Sequence, residues 1–385
     1  MTPILYDVSY VTSGSGFGHL SDCISCDVTE ERNGAYEATL VYPASGIHFD
    51  ELKPERITNI LVNKNTSGRK FQLFRIYKMS RPMDQDGQMI CTFYLKHISY
   101  DLDGYTVMPG LYTGTAAEVM EAAIATSPLT NTTFSFETDS PLEGIVEVKT
   151  PCTFRKFLGG MEGSVLDKFG GELEFDNFTV KHHVARGNIN NKLGLRYGKN
   201  IIELSQEIDS TNIYTHVLPY AVKNVGGIES IVYASGSGII QLTEDYAIGR
   251  QRILPLDVTD QFKEAEDITV GAVRAAATRY ITEHDMTGVV PSINCKFADF
   301  RNFIEYGNIP ADEVGLCDYA EVYFPAYRIR EDMKIVKTTF DALREEYTDI
   351  ELGTQKKTVA KTIASQTKQI KSLFEKISVL QQLRT

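Results

Sequence analysis

The sequence contains no tryptophan and no apolar run close to the roughly 18 residues that a membrane-spanning helix needs. The lack of tryptophan removes the commonest aromatic platform for ligands, which argues against a sugar-binding surface. The N-terminal stretch MTPILYDVSYVTSG has neither the basic region nor the apolar region of a secretory signal. We therefore expect a protein without a membrane span that folds in the cytosol.

Catalytic signatures are also missing. The sequence has no H-E-x-x-H motif, no G-x-S-x-G elbow and no Walker phosphate loop. Gly14, Gly16 and Gly18 form a cluster, but the dinucleotide fingerprint needs a different glycine spacing inside a βαβ unit, so we interpret the cluster as a flexible loop. We predict no catalytic residue and no cofactor in this chain.

Metal ligands do not occur in a usable pattern. The six cysteines are scattered, and Cys23 and Cys26 form a C-x-x-C without a second pair to complete a zinc site. His182 and His183 are adjacent, and neighbouring residues of a strand point to opposite faces, so they cannot easily bind one metal. We predict no metal site and interpret the cysteines as reduced thiols of the core.

Positive charge is in the minority. The 39 Lys and Arg residues stand against 51 Asp and Glu residues, which gives a net charge of −12. Nucleic-acid binding rests on neutralising phosphates with Lys and Arg, so the composition argues against it. DNA that passes this protein should be repelled and not held.

The length of 385 residues predicts two to three domains. In residues 1–104, Asn33-Gly34 lies between two strand-like runs, and so does Asp86-Gly87. Asn-Gly and Asp-Gly are typical of tight hairpin turns, so both pairs of runs should form antiparallel hairpins. Strands that meander in this way predict a β-barrel-like first domain.

Residues 105–198 have a different pattern, typical of an α+β domain. TGTAAEVMEAAIAT predicts a short helix with a threonine to cap its start. FRKFLGGMEGSVLDKFG predicts a second helix, weakened by Gly159 and Gly160. A hairpin should follow around Asp176-Asn177.

Residues 199–352 return to strand-like runs and predict a second β-barrel-like domain, with a helical insertion near 266–284. The predicted fold class is therefore α+β, β-rich and multidomain.

The last segment, residues 353–385, has the pattern of a long helix with a heptad seam. The seam positions are Val359, Ile363, Gln366, Ile370, Leu373, Ile377 and Leu380. A helix with so narrow an apolar face is not stable alone in water. Two interpretations stay open: a coiled-coil seam between chains, or a helix folded back onto its own body. The pattern does not fix how many helices associate.

Four segments, spread in order over nearly the whole chain, carry a family resemblance. They are LSDCISCDVTEERNGAYEATLVYP at 20–43, YGKNIIELSQEIDSTNIYTHVLPYA at 197–221, VRAAATRYI at 273–281 and FDALREEYTDIELG at 340–353. Together they resemble the N-terminal region of phage tail-associated lysins, the prophage endopeptidase-tail family. None contains a catalytic motif, so the resemblance rests on their number and order.

The resemblance implies a baseplate or tail-tip hub. In such hubs, two β-barrel tube domains per chain meet across a trimer to form a pseudo-hexameric ring. Residues 1–104 and 199–352 would be the tube domains, and 105–198 would face outward. The ring would dock on the hexameric distal tail protein and extend the tail tube for DNA passage.

The implied partners are further copies of the chain, the distal tail protein, the tape-measure protein and a downstream receptor-binding or lytic module. The protein would assemble in the bacterial cytoplasm and reside in the tail tip of the virion. A ring also gives the acidic composition a role: we hypothesise that carboxylates line the lumen, where they repel passing DNA.

Two departures from the family pattern matter. Relatives often carry Leu-Gly-Asp where this chain has Leu316-Cys317-Asp318, which leaves the geometry of that turn open. The sequence ends at Thr385 without a downstream module, so either the protein is short or the sequence is a fragment. The resemblance implies that any hydrolase activity lies in a downstream module. A peptidoglycan-degrading tail lysin and a receptor- or glycan-binding tail module remain alternative functions.

Overall fold

A computed structural model describes residues 1–9, 16–65, 68–83, 87, 89–129, 132–161, 163–187, 193–207, 214–225, 228–233, 238–242, 251–262, 265–283, 292–297 and 315–353. The predicted C-terminal helix therefore lies outside the described residues beyond Gly353. All of the predicted seam residues also lie outside the described part of the chain: Val359, Ile363, Gln366, Ile370, Leu373, Ile377 and Leu380. The chain divides into two compact units, one of Met1–Gln206 with Ser292–Thr354 and the other containing Glu207–Pro291.

The strands and helices have the following bounds. The first strands are β1 (Ile4–Tyr6), β2 (Gly18–His19), β3 (Ser25–Glu31), β4 (Tyr36–Pro43), β5 (Ile57–Asn65), β6 (Gly68–Ser80), β7 (Ile90–His97) and β8 (Thr106–Val107). Next come β9 (Gly110–Thr115), β10 (Ser135–Thr138), β11 (Glu143–Val148), β12 (Cys152–Thr153), β13 (Glu172–Asp176), β14 (Thr179–His183), β15 (Leu193–Arg196) and β16 (Ile201–Glu207). The last are β17 (His216–Val225), β18 (Ile228–Tyr233), β19 (Ile240–Gln241), β20 (Ile253–Asp257), β21 (Ser292–Phe297), β22 (Tyr319–Phe324), β23 (Ile329–Asp341) and β24 (Glu346–Leu352). The α-helices are α1 (Ala116–Ile124), α2 (Phe154–Gly159), α3 (Val165–Phe169) and α4 (Val270–Glu283).

Both predicted N-terminal hairpins are present. β3 and β4 pair antiparallel on either side of Asn33, which has a left-handed φ of 51°, and the Gly34 amide donates to the Glu31 carbonyl across the turn. β6 and β7 pair antiparallel, and Gly87 between them has a φ of 76°. Along β4, buried and half-buried residues alternate, as expected for a strand with one face in the core.

One 13-stranded sheet joins N-terminal to C-terminal strands. Its main path runs β16-β21-β24-β23-β3-β4-β7-β6-β5-β1-β2, while β22 pairs with β23 and β15 off this path. The junction is the antiparallel pairing of β3 with β23, which places Lys337 opposite Glu31 and Thr339 opposite Thr29. Strands from both predicted β-rich bodies, 1–104 and 199–352, therefore belong to one sheet.

The predicted β-rich class with added helices is confirmed. The predicted barrels are not confirmed, because none of the sheets formed by the described strands closes on itself. Closure would need the first strand of a sheet to pair with its last, whereas β3 pairs with β23 and so extends the sheet. The domain boundaries at 104 and 198 stay predictions.

Helices and short strands between residues 105 and 187 form a layer on this sheet. α1 begins at a threonine cap, as predicted: the Glu118 amide donates to Thr115 Oγ1, and the Thr115 amide donates to the Glu118 carboxylate. The predicted second helix is two helices, α2 and α3, because the glycine pair Gly159-Gly160 ends the first. The predicted hairpin is β13–β14, which turns at Asn177 with a φ of 50°.

The layer and the sheet share one hydrophobic core. Phe154 and Phe157 of α2 belong to the same buried cluster as Tyr36 and Phe93 of the sheet. In unit one, the core side of the sheet is therefore covered by the α+β layer, and the other side of the sheet carries its polar residues.

In the second unit, β17 pairs with β18, β19 and β20. α4 packs on one face of this sheet, where Val273, Ala277 and Ile281 meet Val217 and Leu256 in a separate core. α4 lies within the range 266–284 that the sequence predicts to be helical. No helix in the described part of the chain is long and apolar enough to cross a membrane.

The turn at Leu316-Cys317-Asp318 has a left-handed backbone conformation at its middle residue. Cys317 has a φ of 72°, in the left-handed region that glycine adopts freely. Its amide donates to the Ile335 carbonyl, and the Ile335 amide donates to the Asp318 carbonyl. The turn thus keeps its backbone pairing with β23 although a side chain stands at the strained position.

Candidate functional site

The candidate functional surface is the side of the 13-stranded sheet that faces away from the core. Residues directly opposite one another across paired strands share a face, so the register defines this side. Its residues, here called the polar face, are Asp27, Thr29, Glu31, Glu37, Thr39, Arg75, Lys78, Tyr94, Lys96, Lys337, Thr339, Asp341, Asp349 and Glu351. Alternation places Cys26, Val28, Ala38 and Leu40 on the buried side.

Carboxylates are concentrated where β3, β23 and β24 meet. We call Asp27, Glu31, Asp341, Asp349 and Glu351 the acidic strip. Asp27 and Asp341 are directly opposed across the β3–β23 junction. Burial, and then the charge of Asp341, raise the pKa of Asp27 above its usual value.

Asp349 shows the same crowding. Burial raises its pKa although Lys296 and Lys337 lie nearby. Like charges placed opposite one another destabilise a sheet, so the opposition of Asp27 and Asp341 costs folding stability.

The cations beside the strip are paired within the chain. Lys337 Nζ lies 2.9 Å from a Glu31 carboxylate oxygen, and Lys296 Nζ lies 2.6 Å from Glu203. Arg344 Nε lies 3.6 Å from Asp341. Each of these cations is therefore balanced by a carboxylate, and two of those carboxylates, Glu31 and Asp341, belong to the strip itself.

The β6–β7 part of the polar face combines cations with tyrosine rings. Lys96 Nζ lies 4.8 Å from the ring centres of both Tyr77 and Tyr100, and Lys78 Nζ lies 4.9 Å from that of Tyr94. At these distances the rings attract the ammonium groups. The cations of this part are therefore held against the sheet surface.

A buried ion cluster fixes the α+β layer to the core side of the sheet. Glu172 on β13 is 2% exposed, and one carboxylate oxygen lies 2.5 Å from both Arg32 Nε and Lys334 Nζ. Its other oxygen accepts from the Arg186 amide at 2.6 Å, and the Arg186 guanidinium pairs with Glu30. The cluster joins the β3–β4 turn, β13 and β23, so it holds the strands of the acidic strip in place.

A second buried network surrounds His97. Its ring nitrogens are 3.0 Å from Gln72 Oε1 and from Ser99 Oγ, and its ring stacks on Tyr36 with 4.4 Å between centres. Gln72 Nε2 donates to Asp176 at the β13–β14 turn. Burial, and then the charge of Arg155 and Lys70, hold the pKa of His97 well below its usual value.

The histidine pair of β14 is arranged as the sequence predicts, one inward and one outward. His182 is buried and contacts Thr138 Oγ1 and the Gly170 carbonyl. His183 lies on the other face, with Asp139 at 3.0 Å from Nδ1 and Glu174 at 3.1 Å from Nε2. Both rings are thus engaged by the protein itself. Over the described ranges, no group of three His, Cys, Asp or Glu side chains could hold a metal ion.

The sequence did not predict the acidic strip. Asp27 and Asp341 are far apart in the chain, and only the pairing of β3 with β23 brings them together. The one available signal was the alternation of Asp27, Thr29 and Glu31 with buried residues, which marks a solvated strand face without showing its neighbours.

These features define a β-rich protein organised around a two-faced sheet, and comparison with solved structures gives the fold its class: that of phage tail proteins. The chain matches the prophage tail protein gp18 from Listeria monocytogenes EGD-e with a TM-score of 0.58 and 16% identity, covering 96% of this chain and 100% of that one. It matches the 43 kDa tail protein of prophage MuSo2 from Shewanella oneidensis with a TM-score of 0.57 and 12% identity, covering 92% and 98%.

A tail protein from Neisseria meningitidis MC58 matches with a TM-score of 0.58 and 10% identity, covering 94% of this chain and 98% of that one. No family model and no curated protein matches the sequence. At identities this low, the structural matches show the fold alone. It is a tail-protein fold, as the resemblance implies.

Proposed function

We propose that this chain is the structural hub of a phage or prophage tail tip. Three copies form a ring that docks on the hexameric distal tail protein and extends the tail tube toward the cell surface. The observation that carries the proposal is the acidic strip on the polar face of a sheet with a tail-protein fold. In the ring, this face lines the channel and the α+β layer faces outward.

The channel role follows from electrostatics. DNA phosphates are repelled by carboxylates within the Debye length, about 8 Å at physiological salt. Protein–DNA affinity grows with each Lys or Arg that neutralises a phosphate, and the cations next to the strip are already paired with Glu31 and Glu203. A polar wall of this composition lets DNA pass without holding it.

The number of copies rests on the family resemblance. The C-terminal segment 353–385 supplies a contact between them, with Val359, Ile363, Ile370, Leu373, Ile377 and Leu380 packed around the threefold axis. Gln366 is the polar seam position that sets the register at some cost in stability. Beyond this seam, the hub connects to a receptor-binding or lytic module, and on its other side to the distal tail and tape-measure proteins.

The channel role is tested in the phage or prophage that encodes the chain. An Asp27→Lys/Asp341→Lys double variant reverses the strip, and we expect it to lower DNA delivery by about tenfold or more, because the wall then binds phosphates. A Glu143→Lys/Glu147→Lys variant makes the same charge change on the exposed ribbon β11 and should deliver DNA normally. Normal delivery by the reversed strip contradicts the channel role.

The hub role has its own readout. Purified tails should contain the chain, and its absence from them contradicts the proposal. The mass of the full chain in solution should correspond to a trimer, and removal of residues 354–385 should weaken it, since the seam is then lost.

A further inference from the structure

The charge of the chain is distributed unevenly. Residues 354–385 contain seven Lys and Arg residues and one acidic residue, Glu375. The whole sequence contains 39 basic and 51 acidic residues, so residues 1–353 contain 32 and 50. The last 32 residues therefore carry a net charge of +6, while the body before them carries −18. A basic segment is joined to an acidic body, and opposite charges attract one another.

The lysines of this segment lie on one side of the predicted helix. When Ile363 and the other seam residues occupy heptad positions a and d, four lysines fall at positions b and f: Lys357, Lys361, Lys368 and Lys371. Positions b and f point away from the seam. We call these four lysines the basic row. A helix that packs through its apolar seam therefore presents the basic row to whatever surrounds it.

Three carboxylates of the acidic strip have no cation of their own. Asp27, Asp349 and Glu351 form no ion pair with any residue in the described part of the chain, and the cations that are paired in the strip contact Glu31 and Asp341. Asp349 and Glu351 are half-buried on the last strand, β24. Like charges this close raise one another's energy, and an added ammonium group lowers it. The acidic strip is thus short of cations.

The basic segment begins next to the strip. Glu351 precedes Gly353 by two residues, and the Gly353 amide donates to a carbonyl of β23 at 2.9 Å. Gly353 has a φ of 142°, which glycine adopts far more readily than other residues, so the chain can turn sharply where β24 ends. A helix from Gly353 to Lys361 rises about 12 Å. Along β3, the strip is about 13 Å long from Asp27 to Glu31, so the basic row starts within the length of the strip.

We propose that the basic row docks on the acidic strip of its own chain. Lys357 and Lys361 lie nearest to the point of attachment, so they contact the carboxylates of β24, Asp349 and Glu351. The short connection keeps these lysines at an effective concentration on the order of millimolar, which favours the same chain over a second copy or another protein.

This inference deepens the proposed hub function, on which its consequence rests. Where the acidic strip faces the channel, the docked segments occupy the channel, with the basic row on the wall and the apolar seam toward the axis. The lysines then cover the carboxylates that repel DNA, so the segments have to leave before DNA passes.

Carbodiimide cross-linking of the full chain tests this contact. The reagent activates a carboxylate, and an amine in contact with it forms an amide. Peptides that join Lys357 or Lys361 to the two β24 carboxylates should dominate the cross-links of the segment. In a mixture of isotope-labelled and unlabelled chains, these peptides should come from single chains. Raising the salt to about 1 M shortens the Debye length to about 3 Å and should lower their yield at least about fivefold.

A matched pair of variants separates docking from proximity. Acetylation of Lys361 should be at least about fivefold slower in the native chain than in denaturant, because an ammonium group in contact with carboxylates holds its proton more tightly. Asp349→Asn/Glu351→Gln should remove this difference. Glu143→Gln/Glu147→Gln removes the same charge from the exposed ribbon β11 and should leave Lys361 slow.

Equal acetylation rates of Lys361 in the native chain and in the Asp349→Asn/Glu351→Gln variant overturn the inference. Cross-links of the basic row that join two chains overturn it as well. These measurements use the isolated chain, so their failure leaves the hub function standing. Absence of the chain from purified tails overturns the hub function and the consequence for the channel, while the docking keeps its own test.

Discussion

Asp27 on β3 and Asp341 on β23 lie directly opposite one another, although they come from opposite ends of the chain. Both are half-buried, and the charge of Asp341 helps to raise the pKa of Asp27. Opposed like charges cost a sheet up to about 1 kcal/mol. The sheet therefore carries an arrangement that its own stability does not favour, at the centre of the proposed channel wall.

Replacing Asp27 by Asn should raise the free energy of unfolding at pH 7 by about 0.5 kcal/mol, because it removes the repulsion between Asp27 and Asp341. The gain is below the full cost of opposed charges, since Asp27 is half-exposed and solvent screens its charge. The pKa of Asp27 is raised in the folded chain, so its charge costs stability as the pH rises through and above the usual value of 3.8. The gain should vanish in acid, where both carboxyls are neutral. Urea unfolding of both chains at pH 7 and in acid measures this gain in the free energy of unfolding.

A double variant provides the control for this pair. Once Asp27 is neutral, Asp341→Asn should bring little further gain, because the repulsion is already gone. A destabilised Asp27→Asn variant at pH 7 contradicts the account of the strip.

The local elements of this fold could be predicted from sequence, and the long-range ones could not. Asn33 and Asn177 mark turns whose φ values are positive, so local chemistry alone indicated both hairpins. The pairing of β3 with β23 depends on contacts between distant strands, which no local pattern encodes. For the same reason, the prediction of two separate β-barrels did not include this junction.

The candidate functional site likewise has a local part that the sequence could indicate and a long-range part that it could not. Alternating polar residues on β3 mark one solvated face, which the sequence could indicate. The ion cluster around Glu172 could not be predicted, because Arg32, Glu172 and Lys334 come from three distant segments. Burial of a glutamate is decided by the partners that tertiary structure brings to it.

Glu172→Gln should lower the free energy of unfolding by about 3–5 kcal/mol, because it leaves Arg32 and Lys334 without their buried counter-charge. Glu147→Gln, at a glutamate whose side chain is 56% exposed, should change it by less than about 0.5 kcal/mol. Chemical denaturation of both variants gives the comparison. Equal effects of the two substitutions contradict the role of the cluster.

Stability should fall as the pH drops below 6.5. The folded chain holds the pKa of His97 well below that value, so the unfolded chain takes up a proton that the folded chain refuses. The stability that neutral His97 contributes is therefore complete above pH 6.5 and is lost progressively below it. His97→Gln should flatten the profile of thermal midpoint against pH between 6.5 and 5, while His19→Gln, at an exposed histidine, should not. An unchanged slope in His97→Gln contradicts this assignment.

The buried thiols should resist modification. Burial raises the pKa of Cys23, Cys295 and Cys317 to about 12, so almost no thiolate is present at pH 8. We expect a thiol reagent such as dithionitrobenzoate to label them at least about a hundredfold more slowly in the native chain than in denaturant. Mass spectrometry of the labelled peptides identifies the sites. Rapid native labelling of Cys317 contradicts the buried geometry of its turn.

The proposed hub consists of three copies of this chain, with the polar face as its channel wall. Electron cryo-microscopy of intact tail tips tests it most directly. We expect three copies around the tail axis, with Asp27 and Asp341 of each copy facing the lumen. A map in which these carboxylates lie on the outer surface of the tail, or in a contact between subunits, contradicts it.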